Sequence, residues 1–244
     1  MRFLVIGESC LDVFVYGGVS RIAPEAPVPV LVKESMTKNA GMASNVASNL
    51  TSLGCHVTLH TNTNWQTIKK TRFVESKCNH MFMRLDENDE EYGSCDLSAV
   101  NIESYDCVII SDYNKGWLTS DQIREIGMRS KLCFLDTKKI LGKWAETVTF
   151  IKINENEYER TRDVLSDAVD EKLIITLGPR GASHKGVIYP CPTVQRVDSA
   201  GAGDTFVSGL AKMYCETSDI ARSIEFANEC ASVVVQKKGV STIK

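Results

Sequence analysis

The sequence predicts an α/β protein of three layers, α/β/α, with a mostly parallel central sheet and a small β-hairpin set against it. Three observations carry this expectation. Short apolar runs alternate with helical or turn-forming stretches along most of the chain, the pattern of strands that are buried on both faces beneath helices. Residues 68–86 break that rhythm with two extended runs, in which Met81, Met83 and Leu85 alternate with Phe82, Arg84 and Asp86, a period of two. Near the end, the small-residue turn Val197-Asp-Ser-Ala-Gly-Ala-Gly-Asp204 leads into an amphipathic stretch.

In chain order, Phe3 to Ile6 reads as a short buried strand, and Val28 to Val32 as an extended run behind the breakers Pro24, Pro27 and Pro29. Val46, Ala47, Leu50 and Leu53 share a helical face over Ala43 to Leu53, and Gly54 closes that helix. Cys55 to His60, Cys107 to Ser111, Leu132 to Asp136, Val148 to Ile151, Leu173 to Leu177 and Val187 to Tyr189 read as further strands. The acidic loop from Asp86 to Glu91 reads as solvated surface. Two helices end the chain: one from Asp204 to Cys215, and one capped by Ser218 whose Ile220, Ile224, Ala227, Ala231 and Val234 share a face until Gly239.

With 244 residues, 43% of them apolar and 24% charged, the chain has the usage of an ordinary globular protein. No repeat or linker divides it, so one main domain over 1–244 is expected. A net charge of −3 and a pI near 5.9 supply no basic field for nucleic acid or an anionic membrane. The nine cysteines are scattered without a Cys-x-x-Cys pair, as small buried thiols in a reducing compartment. No secretory core or membrane span is read, and a cytoplasmic location is expected.

The chemistry concentrates in Gly201-Ala202-Gly203-Asp204. Glycines let backbone N–H groups converge on an anion, and the following helix aims its positive end at the same point. A second negative charge about 4 Å from a phosphate costs roughly 4 kcal/mol at an effective dielectric near 20. Asp204 therefore needs a task there, and a general base in phosphoryl transfer fits. The plainer alternative is a tight turn with Asp204 as helix cap. A dinucleotide fingerprint fails because Phe206 stands where its third glycine belongs, which disfavours an NAD-linked oxidoreductase, and no Gly-x-x-x-x-Gly-Lys-Ser/Thr occurs. Asp12, Asp112, Asp136 with Lys138, and Asn154 with Glu157 each follow a strand, at the edge where ligands gather in such sheets, although Asp and Asn there are commonly turn formers or caps.

Gly201-Ala202-Gly203-Asp204 resembles the signature of the ribokinase-like, or PfkB, family of carbohydrate kinases. Ser20 to Val30, Ser111 to Gly116, Asp136-Thr137-Lys138, Asn154 to Glu157 and Val235 to Ile243 are similar to the branch that phosphorylates D-glycero-D-manno-heptose 7-phosphate. The resemblance implies Asp204 as base, with an anion hole from Gly201, Ala202 and Gly203. It implies Asp12, Gly41, Asn45 and Asp112 around the sugar, and Lys138, Asn154, Glu157, Thr176, Gly178, Gly181 and Asn228 around ATP. It implies magnesium ordered by Glu157 through water, room for a monovalent cation, a lid over 13–33 and 68–86, and a homodimer.

Three departures stand out. The family's second glycine is Met42 here, placing a thioether toward the sugar. The stretch between Asn62 and Ile68 is short, as if a helix and strand were missing. The chain stops at Lys244, where the two-activity heptose enzyme would continue, so only a kinase is expected. Ribose, fructose phosphate or a nucleoside are alternative acceptors. A non-catalytic sugar or nucleotide sensor is the alternative function.

Overall fold

A computed structural model describes residues 1–243. The chain alternates β1 (Arg2–Gly7), β2 (Ser9–Ile22), β3 (Pro29–Met42), α1 (Ala43–Ser52), β4 (His56–His60), β5 (Lys69–Glu75), β6 (Met81–Glu87), β7 (Cys107–Asp112), α2 (Ser120–Arg129) and β8 (Cys133–Thr137). It continues with β9 (Phe150–Asn154), α3 (Glu155–Thr161), α4 (Asp167–Asp170), β10 (Leu173–Thr176), β11 (Ala182–His184), β12 (Val187–Tyr189), α5 (Ala202–Thr217) and α6 (Ile220–Val234).

Eight strands form the main sheet in the order β12-β11-β10-β9-β8-β7-β1-β4, parallel from β10 to β4, with β11 and β12 antiparallel at one end. Because successive strand residues face opposite ways, β1 sends Leu4 and Ile6 to one core, with Ile123 and Ile126 of α2, and Phe3 and Val5 to the other, with Val46, Leu50 and Leu210 of α1 and α5. Burial on both faces is why these strands read as unbroken apolar runs.

The lid is larger than the expected hairpin. It is a four-stranded sheet, β3-β2-β5-β6, in which two hairpins are joined by parallel pairing of β2 with β5. Phe14, Tyr16 and Val74 on its inner face pack against Ala200 and Val240 of the body. The residues between His60 and Lys69 form only a short connection, and β4 is the edge strand of the main sheet.

Four local expectations are corrected. Ser218 is the left-handed C-cap of α5 (φ 54°), and Asp219 caps α6 by accepting from Arg222 N–H. The last helix ends at Val234, short of Gly239. Met42 points into the core with Cys10, Ile68 and Tyr92, its sulfur 3.7 Å from the Tyr92 hydroxyl, and so does not enter a sugar pocket. Its φ of 61° places a side chain where glycine is the comfortable residue.

The acidic loop, expected to be solvated, sends Asp89 inward. Its carboxylate bonds Lys70 of β5 at 2.5 Å, Tyr92 at 2.8 Å, and Lys115 after β7. Burial would raise its pKa, but Lys115 and Lys70 outweigh that and hold it at about 2. Asp89→Ala would strand the Lys115 ammonium and leave Lys70 only the longer contact with Asp86 at 3.8 Å, and we expect a loss of about 2 kcal/mol in urea unfolding at pH 7. Since the folded-state pKa is depressed, that difference should persist above pH 4 and shrink as pH falls toward 2.

Candidate active site

The turn ahead of α5 is built to leave donors unused. Gly201 adopts φ 79°, and a Cβ there would lie 2.8 Å from Asn45 Nδ2, so both conformation and space require glycine. No side chain caps the helix. Ala202 N–H reaches Ser199 O at 3.3 Å, whereas among the described residues the N–H groups of Gly203 and Asp204 have no acceptor. Unpaired first-turn amides plus the helix dipole make a site for an anion.

Asp204, 6% exposed, sits on that first turn. Asn45 Nδ2 of α1 donates to its Oδ2 at 2.8 Å, and the Tyr113 hydroxyl donates to its Oδ1 at 2.8 Å. These bonds fix the carboxylate from two sides. Burial raises its pKa to about 6, the two hydrogen bonds only partly opposing this and Asp136 adding to it. That value suits a base working near neutrality. Asp204 is thus not the cap of its helix, since neither carboxylate oxygen bonds a backbone amide.

The carboxyl ends of β7, β8, β9 and β10 come together at this edge, where register sets Ser111 beside Asp136, Asp136 beside Lys152, and Asn154 beside Thr176. A polar cavity of about 590 Å³ opens there, lined by Asp204, Gly203, Lys138, Asp136, Lys152 and Asn154. A neighbouring cavity of about 340 Å³ is bounded by Phe206, Val235, Gly178, Gly181 and Asn228, and the two share Thr176 and Gly178. Gly181 (φ 95°) is needed because a Cβ would meet Tyr189 O at 2.0 Å. Asn228 is buried and donates to Tyr189 O at 2.9 Å. Two connected cavities of this size fit a nucleoside triphosphate whose base lies in the apolar one.

Lys138 Nζ lies 2.5 Å from Glu157 Oε1 and 3.9 Å from Asp136 Oδ1. Burial opposes its charge, yet Asp136 and Glu157 more than offset this and its pKa is raised. Glu157 and Asn154 form a reciprocal capping box at the start of α3: Asn154 Oδ1 accepts from Glu157 N–H at 2.9 Å, and Glu157 Oε2 accepts from Asn154 N–H at 2.7 Å. The Glu157 carboxylate is therefore engaged by a backbone amide and Lys138. It does not line the polar cavity, unlike Asn154.

The expected sugar residues divide. Asp12 is buried and ion-paired with Arg72 of the lid. Gly41 faces it so closely that a Cβ would stand 2.1 Å from Asp12 Oδ2. Asn45 reaches Asp204 directly. Asp112 has its side chain fully buried, bonded to Thr137 Oγ1 and to Lys139 Nζ at 2.7 Å.

Two residues of the site were not singled out from sequence. Tyr113 carries no signal beyond following an Asp. Lys152 does: a lysine within the otherwise apolar Phe150-Ile-Lys-Ile-Asn154. It is 4% exposed, bonds Asp136 Oδ2 at 2.9 Å, and its Nζ lies 2.8 Å from where a Cβ on Gly203 would be. Glycine at 203 thus makes room for an ammonium beside the free amides.

Comparison with known proteins gives the family and the fold. Residues 120–244 match the model of the pfkB family of carbohydrate kinases. The bifunctional protein HldE of Helicobacter pylori is 32% identical over 98% of this chain, which spans 63% of that relative's length. HldE of Bradyrhizobium diazoefficiens is 31% identical over 98% of this chain and 60% of its own length. Among solved structures, a nucleoside kinase of Methanocaldococcus jannaschii, described as an archaeal member of the ribokinase family, superposes with a TM-score of 0.72 at 19% identity, covering 98% of this chain and 93% of that one. Arabidopsis thaliana ribokinase, complexed with ribose and ATP, superposes with a TM-score of 0.68 at 16% identity over 97% and 93%. The fold is ribokinase-like.

Proposed function

The chain belongs to the pfkB family of carbohydrate kinases, and from that premise we propose that it transfers the γ-phosphoryl group of ATP to the anomeric hydroxyl of D-glycero-D-manno-heptose 7-phosphate. One observation carries the chemistry: a buried carboxylate with a pKa near 6, beside two unpaired helix-terminal amides, at the rim of a polar cavity that contains two lysines. Asp204 takes the acceptor's proton as the new O–P bond forms and the bond to ADP breaks. Gly203 and Asp204 N–H groups stabilise the charge on the transferring oxygens. Lys152 and Lys138 hold the phosphates from the side of β8 and β9.

Magnesium fits the donors present. Asp136 Oδ1 is buried without a hydrogen bond, next to Lys138 and Lys152, and a hard oxygen reached through water is the usual protein contribution to that ion. When bound, the ion would neutralise charge on the triphosphate. Asp12, Gly41 and Asn45 form the acceptor side, and docking of Phe14 and Tyr16 against Ala200 and Val240 would exclude water from the transfer.

The similarity to HldE over nearly the whole chain supports the heptose acceptor. A homodimer remains part of this reading. It is supported by the outward face of β6, whose Met83 and Leu85 are 53% and 46% exposed. A cytoplasmic location is likewise proposed; among the described residues no helix is long and apolar enough to cross a membrane.

ADP release with heptose 7-phosphate, ribose, fructose 6-phosphate and a nucleoside tests the assignment. Heptose 7-phosphate is expected to exceed the others in kcat/KM by about tenfold or more. Preference for another acceptor would overturn the substrate. Absence of turnover on all, with ATP binding intact, would favour a sensor.

A further inference from the structure

We infer that Arg196 is a further catalytic residue, a counter-charge for the phosphoryl group in transit between donor and acceptor. The inference rests on the kinase reading above, and its position and its charge both point to it. Arg196 lines the apolar cavity, the polar cavity that holds Asp204, and a third cavity of about 410 Å³ between the lid and the body, where Arg72 and Phe14 of the lid face Ser199 and Ala200. It therefore stands where the donor and acceptor spaces meet.

The other cations lining these spaces are each already matched by a carboxylate. Lys138 is paired with Glu157, Lys152 with Asp136, and Arg72 with Asp12. Among the described residues lining the three cavities, Arg196 is the one cation with no hydrogen bond or ion pair, and its side chain is exposed. Compensated lysines add little net charge to meet an incoming triphosphate. An uncompensated guanidinium five residues before Gly201 adds a full one. Its planar fork can span two phosphoryl oxygens at once, the task that an inserted arginine performs in other phosphoryl transfers.

The test compares the wild-type chain with Arg196→Ala and Arg196→Lys. Because Arg196 is exposed and unpaired, neither change should alter thermal unfolding. Arg196→Ala is expected to lower kcat roughly 10²-fold while KM for ATP and for the acceptor stay within about threefold, with Arg196→Lys in between. Calorimetry supplies a readout without the acceptor: aluminium fluoride, a mimic of the transferring phosphoryl, should tighten MgADP binding to the wild type, and Arg196→Ala should lose most of that tightening. Equal tightening in both proteins, or a raised acceptor KM with kcat intact, would overturn the role of Arg196 alone. A wild-type chain whose MgADP affinity is unmoved by aluminium fluoride would instead bring down the kinase reading beneath it.

Discussion

Asp204→Asn is expected to lower kcat by roughly 10² to 10⁴-fold, the usual worth of a positioned general base, with KM for ATP nearly unchanged. The substitution is close to isosteric, so Gly203 and its amide stay in place and the cavity keeps its shape. What disappears is the ability to accept a proton. Asn45 and Tyr113 each donate to one oxygen of Asp204, so the carboxylate arrives at the reaction already oriented and without a solvent shell to shed. The variant amide can accept only one of these bonds, and its residual rate would measure what the amides and lysines contribute unaided. Single-turnover kinetics checks this, because they separate the chemical step from product release. A variant with wild-type turnover would remove Asp204 from the base role. The cavity would then be a binding site whose carboxylate serves only to hold Asn45 and Tyr113.

The main sheet was legible because its strands are buried on both faces and so carry their own signal: Phe3 to Ile6 and Cys107 to Ser111 read as strands without any partner being known. The lid was not. Ser9–Ile22 contains Gly17 and Gly18 and alternates weakly, and its extended form comes from pairing with β3 on one side and β5 on the other, contacts that no local window contains. The acidic loop misled for a related reason. Asp86 to Glu91 has the composition of a solvated loop, yet Lys70 and Lys115, distant in sequence, pull Asp89 into the interior.

The turn at 201–204 was legible for the opposite reason. Its constraints are local: a left-handed residue, two close approaches, and a helix start without a cap all fall within four residues. The partners of Asp204 were harder. Asn45 and Tyr113 lie 159 and 91 residues away, and only the crossing of α1, α5 and the end of β7 brings them together. Asp112 shows a limit of reading partners from strand ends, since its carboxylate is met by a neighbouring Thr and Lys. Met42 shows another. Its backbone holds a positive φ that favours glycine, while its side chain turns away into the core, which the one-dimensional order of Gly41-Met42 does not reveal.

The pH dependence of both rate and stability follows from the same buried carboxylate. Only the ionised form of Asp204 can act as base, so kcat/KM should decline along an acidic limb centred near pH 6, by about tenfold per pH unit once well below it. For stability the sign is reversed. A folded-state pKa raised from 3.8 to about 6 means that folding favours the protonated acid. The contribution of this group is most favourable below pH 3.8, is lost progressively as pH rises to 6, and stays lost above. A difference of about two pKa units corresponds to roughly 3 kcal/mol. Asp204→Asn removes this cost but leaves one of its two donors without an acceptor, a loss of about 1 kcal/mol. Above pH 6 the variant should therefore be more stable by about 1–2 kcal/mol, a Tm rise of about 2–8 °C for a chain of this size. Near pH 4 the difference should vanish or reverse. Thermal unfolding of both proteins from pH 4 to pH 8 checks this, and a Tm difference independent of pH would show that Asp204 is not a strained, buried anion. An inactive variant that gains stability only where the wild-type acid is ionised would tie the barrier lowering to the same desolvation that makes the folded state less stable.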